Sequence, residues 1–385
     1  MLAALAMLAA AMFVFTHFVA RSYEREQHRQ AQLWFAQGQA ALQGGEMQEA
    51  IHSLRSALAY SHDNFEYRLM LAQALVRDER LRQAESYLLG LWQQQPGNGM
   101  VNLELARIEA RNGDYEQALR FYHGAVFGVF PERPERPELR RREIRLELAE
   151  YLLRVDATEQ AQAELITLAA DLPRDAALNV RVGDLFRQSG EHRRALGQYR
   201  LALDLESRNK EALLGAGEAA FALEQYADAA RYLQRALAQE PKNTRATELM
   251  EVATLVRQMN PFLPRLSSQE RARRVVAGFR QAQERVEQCA SQRGEKLEAE
   301  KRVEGESQQA AASSPPSELR VENDRLAELR PRMSIAVVAR TPDLMDSAMD
   351  AVARAEQTTS RLCGRGGGRD QALLLITQQR EQAAQ

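Results

Sequence analysis

Cys289 and Cys363 are the only cysteines, and with His17, His28, His52, His62, His123 and His192 they are the side chains best suited to covalent or metal chemistry. A thiol nucleophile needs a base beside it, and no histidine follows His192 to serve either cysteine locally. The histidines form no HExxH or other ligand spacing, so surface or packing roles are expected and no metal site. Gly364, Gly366, Gly367 and Gly368 make the one glycine-rich stretch, but without a Gly-Lys-Ser/Thr ending or a preceding strand it reads as a flexible turn, not a phosphate cradle. Acids are plentiful on expected helices, yet no isolated pair stands in an apolar setting. The expectation is a protein that is not an enzyme, with no catalytic residue, cofactor or small-molecule substrate. Each cysteine falls near the end of an expected helix. The pair either closes one intramolecular disulfide, which would report an oxidising compartment, or remains two unrelated thiols.

The elements that position these residues are helical. Leu, Ala, Glu, Gln and Arg dominate the 385 residues while Val and Ile are sparse, which predicts an all-α fold. The net charge is only -2 and both signs are interspersed, so no nucleic-acid partner is expected. Among 51 basic residues only Lys210, Lys242, Lys296 and Lys301 are lysine; this bias reads as genomic base composition and makes arginine clusters weak evidence. Leu2 to Ala20 carries no formal charge, and at ~1.5 Å per residue it reaches roughly the ~30 Å of a bilayer core. One transmembrane helix is expected there, over a cleaved signal peptide, because no charged n-region or small-x-small site accompanies it. The expected location is the inner (cytoplasmic) membrane with the large domain extracytoplasmic. Arg21, Arg25 and Arg29 after the span support the alternative, a cytoplasmic domain.

Alanine recurs every 34 residues at Ala50, Ala84 and Ala118, and again at Ala161, Ala195 and Ala229. The two series are 43 residues apart, one period plus nine. The extra residues coincide with Pro131 to Leu139 (PERPERPEL), expected as a surface insertion because so many prolines cannot continue a helix. Units then begin at Ala31, Phe65, Gly99, Arg142, Ala176 and Lys210. Their eighth residue is always small (Gly38, Ala72, Ala106, Ala149, Gly183, Gly217), and their twenty-fourth is large (Leu54, Leu88, Tyr122, Leu165, Tyr199, Leu233). Small residues at the eighth and twentieth places let two antiparallel helices approach closely. Pro96, Pro173 and Pro241 mark helix ends, and Gly45, Gly113 and Gly190 mark turns.

This pattern resembles the tetratricopeptide repeat (TPR), a 34-residue helix-turn-helix unit, and the first unit also has a tryptophan, Trp34. The resemblance covers about Ala31 to Pro241. It implies an α-solenoid of six TPR-like units whose first helices line a concave groove for a peptide or helix of a partner protein. The fifth position reads as an apolar ladder: Phe35, Leu69, Leu103, Leu146, Val180 and Leu214. The ninth reads as a polar row beside it: Gln39, Gln73, Arg107, Glu150, Asp184 and Glu218. Packing between repeats is the competing reading of the ladder. The expected function is a membrane-anchored interaction scaffold; the alternative is a self-associating envelope protein whose groove holds its own C-terminal helices.

The chain divides accordingly into an anchor over 1–20, a juxtamembrane stretch over 21–30, three units over 31–130, the Pro-rich insertion over 131–141, and three units over 142–243. A capping helix over 244–259 follows, then an amphipathic helix within 260–303, capped by Ser267 or Ser268 and expected to dock on the last repeat. A disordered linker over 304–317 and a C-terminal helical unit over 318–385 complete the division.

Overall fold

The computed structural model describes residues 2–131, 137–297 and 317–384, without the side chains of residues 2–11, 14, 137, 383 and 384. Within these residues the protein is all-α, with eighteen α-helices, one 3-10 turn (Arg330–Arg332) and no β-strand. It forms two compact units, residues 1–171 and 172–385.

The first unit is four stacked hairpins: α1 (Leu2–Gly44) with α2 (Met47–Tyr60), α3 (Phe65–Arg77) with α4 (Leu81–Gln94), α5 (Gly99–Asn112) with α6 (Tyr115–Val126), and α7 (Pro137–Arg154) with α8 (Thr158–Ala169). The second holds the hairpins α9 (Ala176–Gln188) with α10 (His192–Leu205) and α11 (Lys210–Ala222) with α12 (Tyr226–Leu237). After them come α13 (Thr244–Met259), α14 (Ser268–Arg293), α15 (Glu318–Leu329), α16 (Ile335–Val338), α17 (Pro342–Cys363) and α18 (Gly368–Ala384).

Two backbone devices repeat with the period. The residue before most first helices is Asn or Asp, and its side chain accepts a backbone N–H of the opening turn: Asn64, Asn98, Asp175, Asn209 and Asn243. In the hairpin turns the fifteenth residue always has positive φ: Gly45, Gly113 and Gly190, but also Glu79, Asp156 and Glu224. The small columns do what their spacing predicts. All six twentieth-position alanines are fully buried, and a Cβ on Gly38, Gly183 or Gly217 would come within 2.7, 2.8 and 2.6 Å of Leu54, Tyr199 and Leu233, the large residue of the same hairpin. Each such leucine, fully buried, contributes roughly 1.5–3 kcal/mol of transfer free energy.

Several expected boundaries move. No helix begins at Ala31: α1 runs unbroken from Leu2, because residues 21–30 are helix formers held by Glu26 to Arg29 and Gln30. Among the described residues no helix is long and apolar enough to cross a membrane. The anchor expected over Leu2 to Ala20 rests mostly on side chains outside the described ones. The fourth repeat has Arg141 where the second, third, fifth and sixth have a capping Asn or Asp, and α7 starts instead at Pro137, inside the stretch expected to exclude helix. Proline is tolerated there because a first-turn N–H has no helical partner. Ahead of it, the amide N–H of Val129 donates to Gly97 O and that of Gly99 to Val129 O, while Phe130 is buried against Gly99. The linker expected over 304–317 lies outside the described residues except for Ser317, which caps α15.

The amphipathic helix α14, capped by Ser267, does not dock chiefly on the last repeat. It packs mainly on α17, and Cys289 on α14 is joined to Cys363 at the end of α17 by a disulfide. It is α18 that lies along α13. The Gly364–Gly368 turn between α17 and α18 closes round a carboxylate of the chain itself: Gly367 N donates to Asp370 Oδ2 at 3.0 Å.

Candidate binding groove

The apolar ladder is largely packing. Leu69, Leu103, Leu146 and Val180 are buried, while Phe35 and Leu214 are half-buried. Phe35 stacks on Tyr67 with ring centroids 4.4 Å apart. Residues with a branched or aromatic body at the fifth position therefore seal neighbouring first helices together.

The polar row is wired from one helix to the next. In the first unit Gln39 is exposed, and Gln73 Nε2 donates to Glu104 Oε1 at 3.2 Å. Glu104 in turn accepts from Arg107 Nη1 at 3.1 Å. Arg107 also holds Glu147 on α7 with two bonds, Nε to Oε1 at 2.8 Å and Nη2 to Oε2 at 2.7 Å. Tyr122 reaches through from α6 and donates its hydroxyl to Glu147 Oε1 at 3.1 Å. Burial pushes the Glu104 carboxyl above the usual carboxylate range against the pull of Arg107, and the bonds to Glu147 hold the Arg107 guanidinium above its ordinary value. Burial likewise raises the Tyr122 hydroxyl, which keeps it a donor. Glu150 is half-buried.

In the second unit the Tyr199 hydroxyl donates to Asp184 Oδ1 at 2.7 Å, and Arg187 bridges Asp184 at 3.8 Å and Glu218 at 3.4 Å. Arg245 on α13 approaches the other oxygen of Glu218 at 3.5 Å. By size alone the two tyrosines at the twenty-fourth position fill the hairpin; their hydroxyls also add its second helix to the polar row. Tyr at this place, where other units have Leu, was the available signal.

Beside this network the first unit opens a cavity of about 380 Å³ lined by Arg107, Ala110, Arg111, Tyr122, Glu147, Tyr151, Arg154 and Val155. Arg107 and Glu147 neutralise each other within it. Arg111 is exposed and donates Nη1 to Val76 O at 3.1 Å, and Arg154 is exposed. Among the described residues no group of His, Cys, Asp and Glu could hold a metal ion.

Stacked helical hairpins with a small-to-large interlock and a polar row along the first helices define a repeat protein of the solenoid class. A family model for the tetratricopeptide repeat matches residues 41–97 and 186–252, so the chain carries tetratricopeptide repeats in both units. No curated protein matches the sequence. Similar solved structures include Pseudomonas aeruginosa pilF, 17% identical over 58% of this chain and 97% of that one, with a TM-score of 0.43. The C-terminal part of a TPR-containing protein of Cytophaga hutchinsonii is 12% identical over 58% of this chain and 86% of that one, with a TM-score of 0.46. YrrB, described as a TPR protein with an unusual peptide-binding site, is 14% identical over 50% of this chain and 95% of that one, with a TM-score of 0.40.

Proposed function

We propose that the protein is a non-catalytic interaction scaffold, tethered to the inner membrane by Leu2 to Ala20, whose first unit takes a peptide or helix of a partner protein. The observation that carries this reading is the cavity between α5 and α7, one wall of which is the Arg107–Glu147 pair, already satisfied by its own bonds. Such a surface is pre-organised, so little side-chain order is lost on binding. The competing reading fills the groove with the chain's own C-terminal helices. Against it, those helices pack chiefly on α13 and on one another. The Cys289–Cys363 bond favours an oxidising, extracytoplasmic side for the domain.

Site-specific photocrosslinking in cells tests the site. A crosslinking residue at Ala110, in the cavity wall, is expected to give a discrete adduct that one at exposed Arg82 on α4 does not. Identical patterns from the two positions would overturn the reading. Carbonate extraction followed by protease protection tests the tether and its orientation: release into the soluble fraction sinks the first, and protection only from cytoplasmic protease is the expected result for the second.

A further inference from the structure

Arg77, Arg111 and Arg154 stand at the thirteenth position of three consecutive units, each in the last turn of a first helix. All three are exposed, and none forms an ion pair among the described residues. Arg111 Nη1 on Val76 O ties the middle arginine to the end of α3, next to Arg77. The cavity joins Arg111 to Arg154. A basic residue at a helix C-terminus is favoured by the helix dipole by ~0.3–1 kcal/mol, which accounts for a positive charge somewhere in each last turn. It does not require one register, nor two guanidinium groups without a carboxylate partner around a cavity whose one lining carboxylate, Glu147, is already held twice by Arg107. In the second unit the same position holds Gln188 and Ala222, so the basic column belongs to the first unit alone.

Resting on the groove reading above, we propose that the partner segment is acidic: it runs extended across α3, α5 and α7, its carboxylates meeting Arg77, Arg111 and Arg154, with one acidic side chain entering the cavity between the last two. Neighbouring packed helices lie about 8–10 Å apart. Three residues of extended polyproline II chain, one full turn, span about the same distance at ~3.1 Å each and return the side chain to the same face. Carboxylates at every third residue therefore match successive arginines, and the guanidinium fork binds a carboxylate through two parallel bonds.

The test uses the full-length protein and two labelled decapeptides, acetylated and amidated, with Glu at every third position in one and Gln at the same positions in the other. Fluorescence anisotropy at low salt is expected to show the Glu peptide bound at least tenfold more tightly, weakening as salt rises. The double variant R111Q/R154Q should lose at least tenfold, R111K/R154K should retain most of the binding, and R208Q in the second unit should leave it unchanged. Equal affinity for the two peptides overturns the acidic partner while leaving the groove reading standing. So does unaltered binding by R111Q/R154Q, or failure to bind either peptide. Phosphatidylglycerol vesicles bound more tightly than the Glu peptide, and released by R111Q/R154Q, would reassign the column to a lipid surface and also overturn it.

Discussion

Arg107 on α5 and Glu147 on α7 are joined by two parallel hydrogen bonds of 2.8 and 2.7 Å, so one guanidinium couples consecutive hairpins of the first unit. The same side chain also satisfies Glu104, a carboxylate only 4% exposed. A residue at the ninth position thus serves at once as cavity wall and as the cross-link between repeats.

Arg107→Ala is expected to lower stability by about 1–3 kcal/mol in urea unfolding, because Glu104 keeps only Gln73 and Glu147 only Tyr122. In a Glu104→Gln background the same change should cost less than in the parent. Equal losses in both backgrounds would show that the buried carboxylate is not what Arg107 supports.

Two glycines inside helices should respond oppositely to alanine. At Gly217 a Cβ would stand 2.6 Å from Leu233, so Gly217→Ala should destabilise by roughly 1–3 kcal/mol through overpacking. At Gly197, inside α10, a Cβ meets nothing within 4 Å, and Gly197→Ala should stabilise by about 0.5–1 kcal/mol. Thermal unfolding of both variants decides it.

Glu224 holds φ at 60° in the turn between α11 and α12, a place filled by glycine in three other hairpins. Glu224→Gly removes the Cβ conflict of that conformation and should raise stability by about 0.5–1 kcal/mol, against the usual direction for a new glycine. A lower unfolding midpoint would mean the side chain makes a contact that outweighs the strain.

Glu356 on α17 is 2% exposed, and its Oε1 has no hydrogen-bond partner among the described residues. Burial first, then the nearby Asp370 carboxylate, push it up to about 8, with Arg285 pulling the other way. Unfolded, the group ionises near 4.5, so between about pH 4.5 and 8 the unfolded chain sheds a proton that the folded one keeps. Stability of the second unit should therefore fall as pH rises through this window, by a few kcal/mol at most. Glu356→Gln should flatten that slope; an unchanged pH profile of urea midpoints would refute it.

Much of the repeat could be read from residue spacing because its constraints are local and periodic. Ala50 and its counterparts are small because two helices cross there, and each lies buried where the period places it. Other features were present in the sequence but carried by residue types with many uses. The capping column Asn64, Asn98, Asp175, Asn209 and Asn243 keeps the period apart from the nine-residue insertion, with Arg141 as its gap, and α7 starts early at that gap. Arg77 and Arg111 are legible as the basic end of the polar face, but the abundance of arginine in the whole chain gives no reason to join Arg154 to them.

The helical class, the hairpin period, the close-packed columns and the helices of the C-terminal region follow from residue spacing, since each depends on residues a fixed, short distance apart. That the fifth-position ladder is mostly buried, that Arg107 pairs with Glu147, that Cys289 meets Cys363 and that α18 covers α13 emerges from the packing of the folded chain. Those pairings join residues far apart in the chain, and helical periodicity sets which face a side chain occupies without specifying which distant face it will meet.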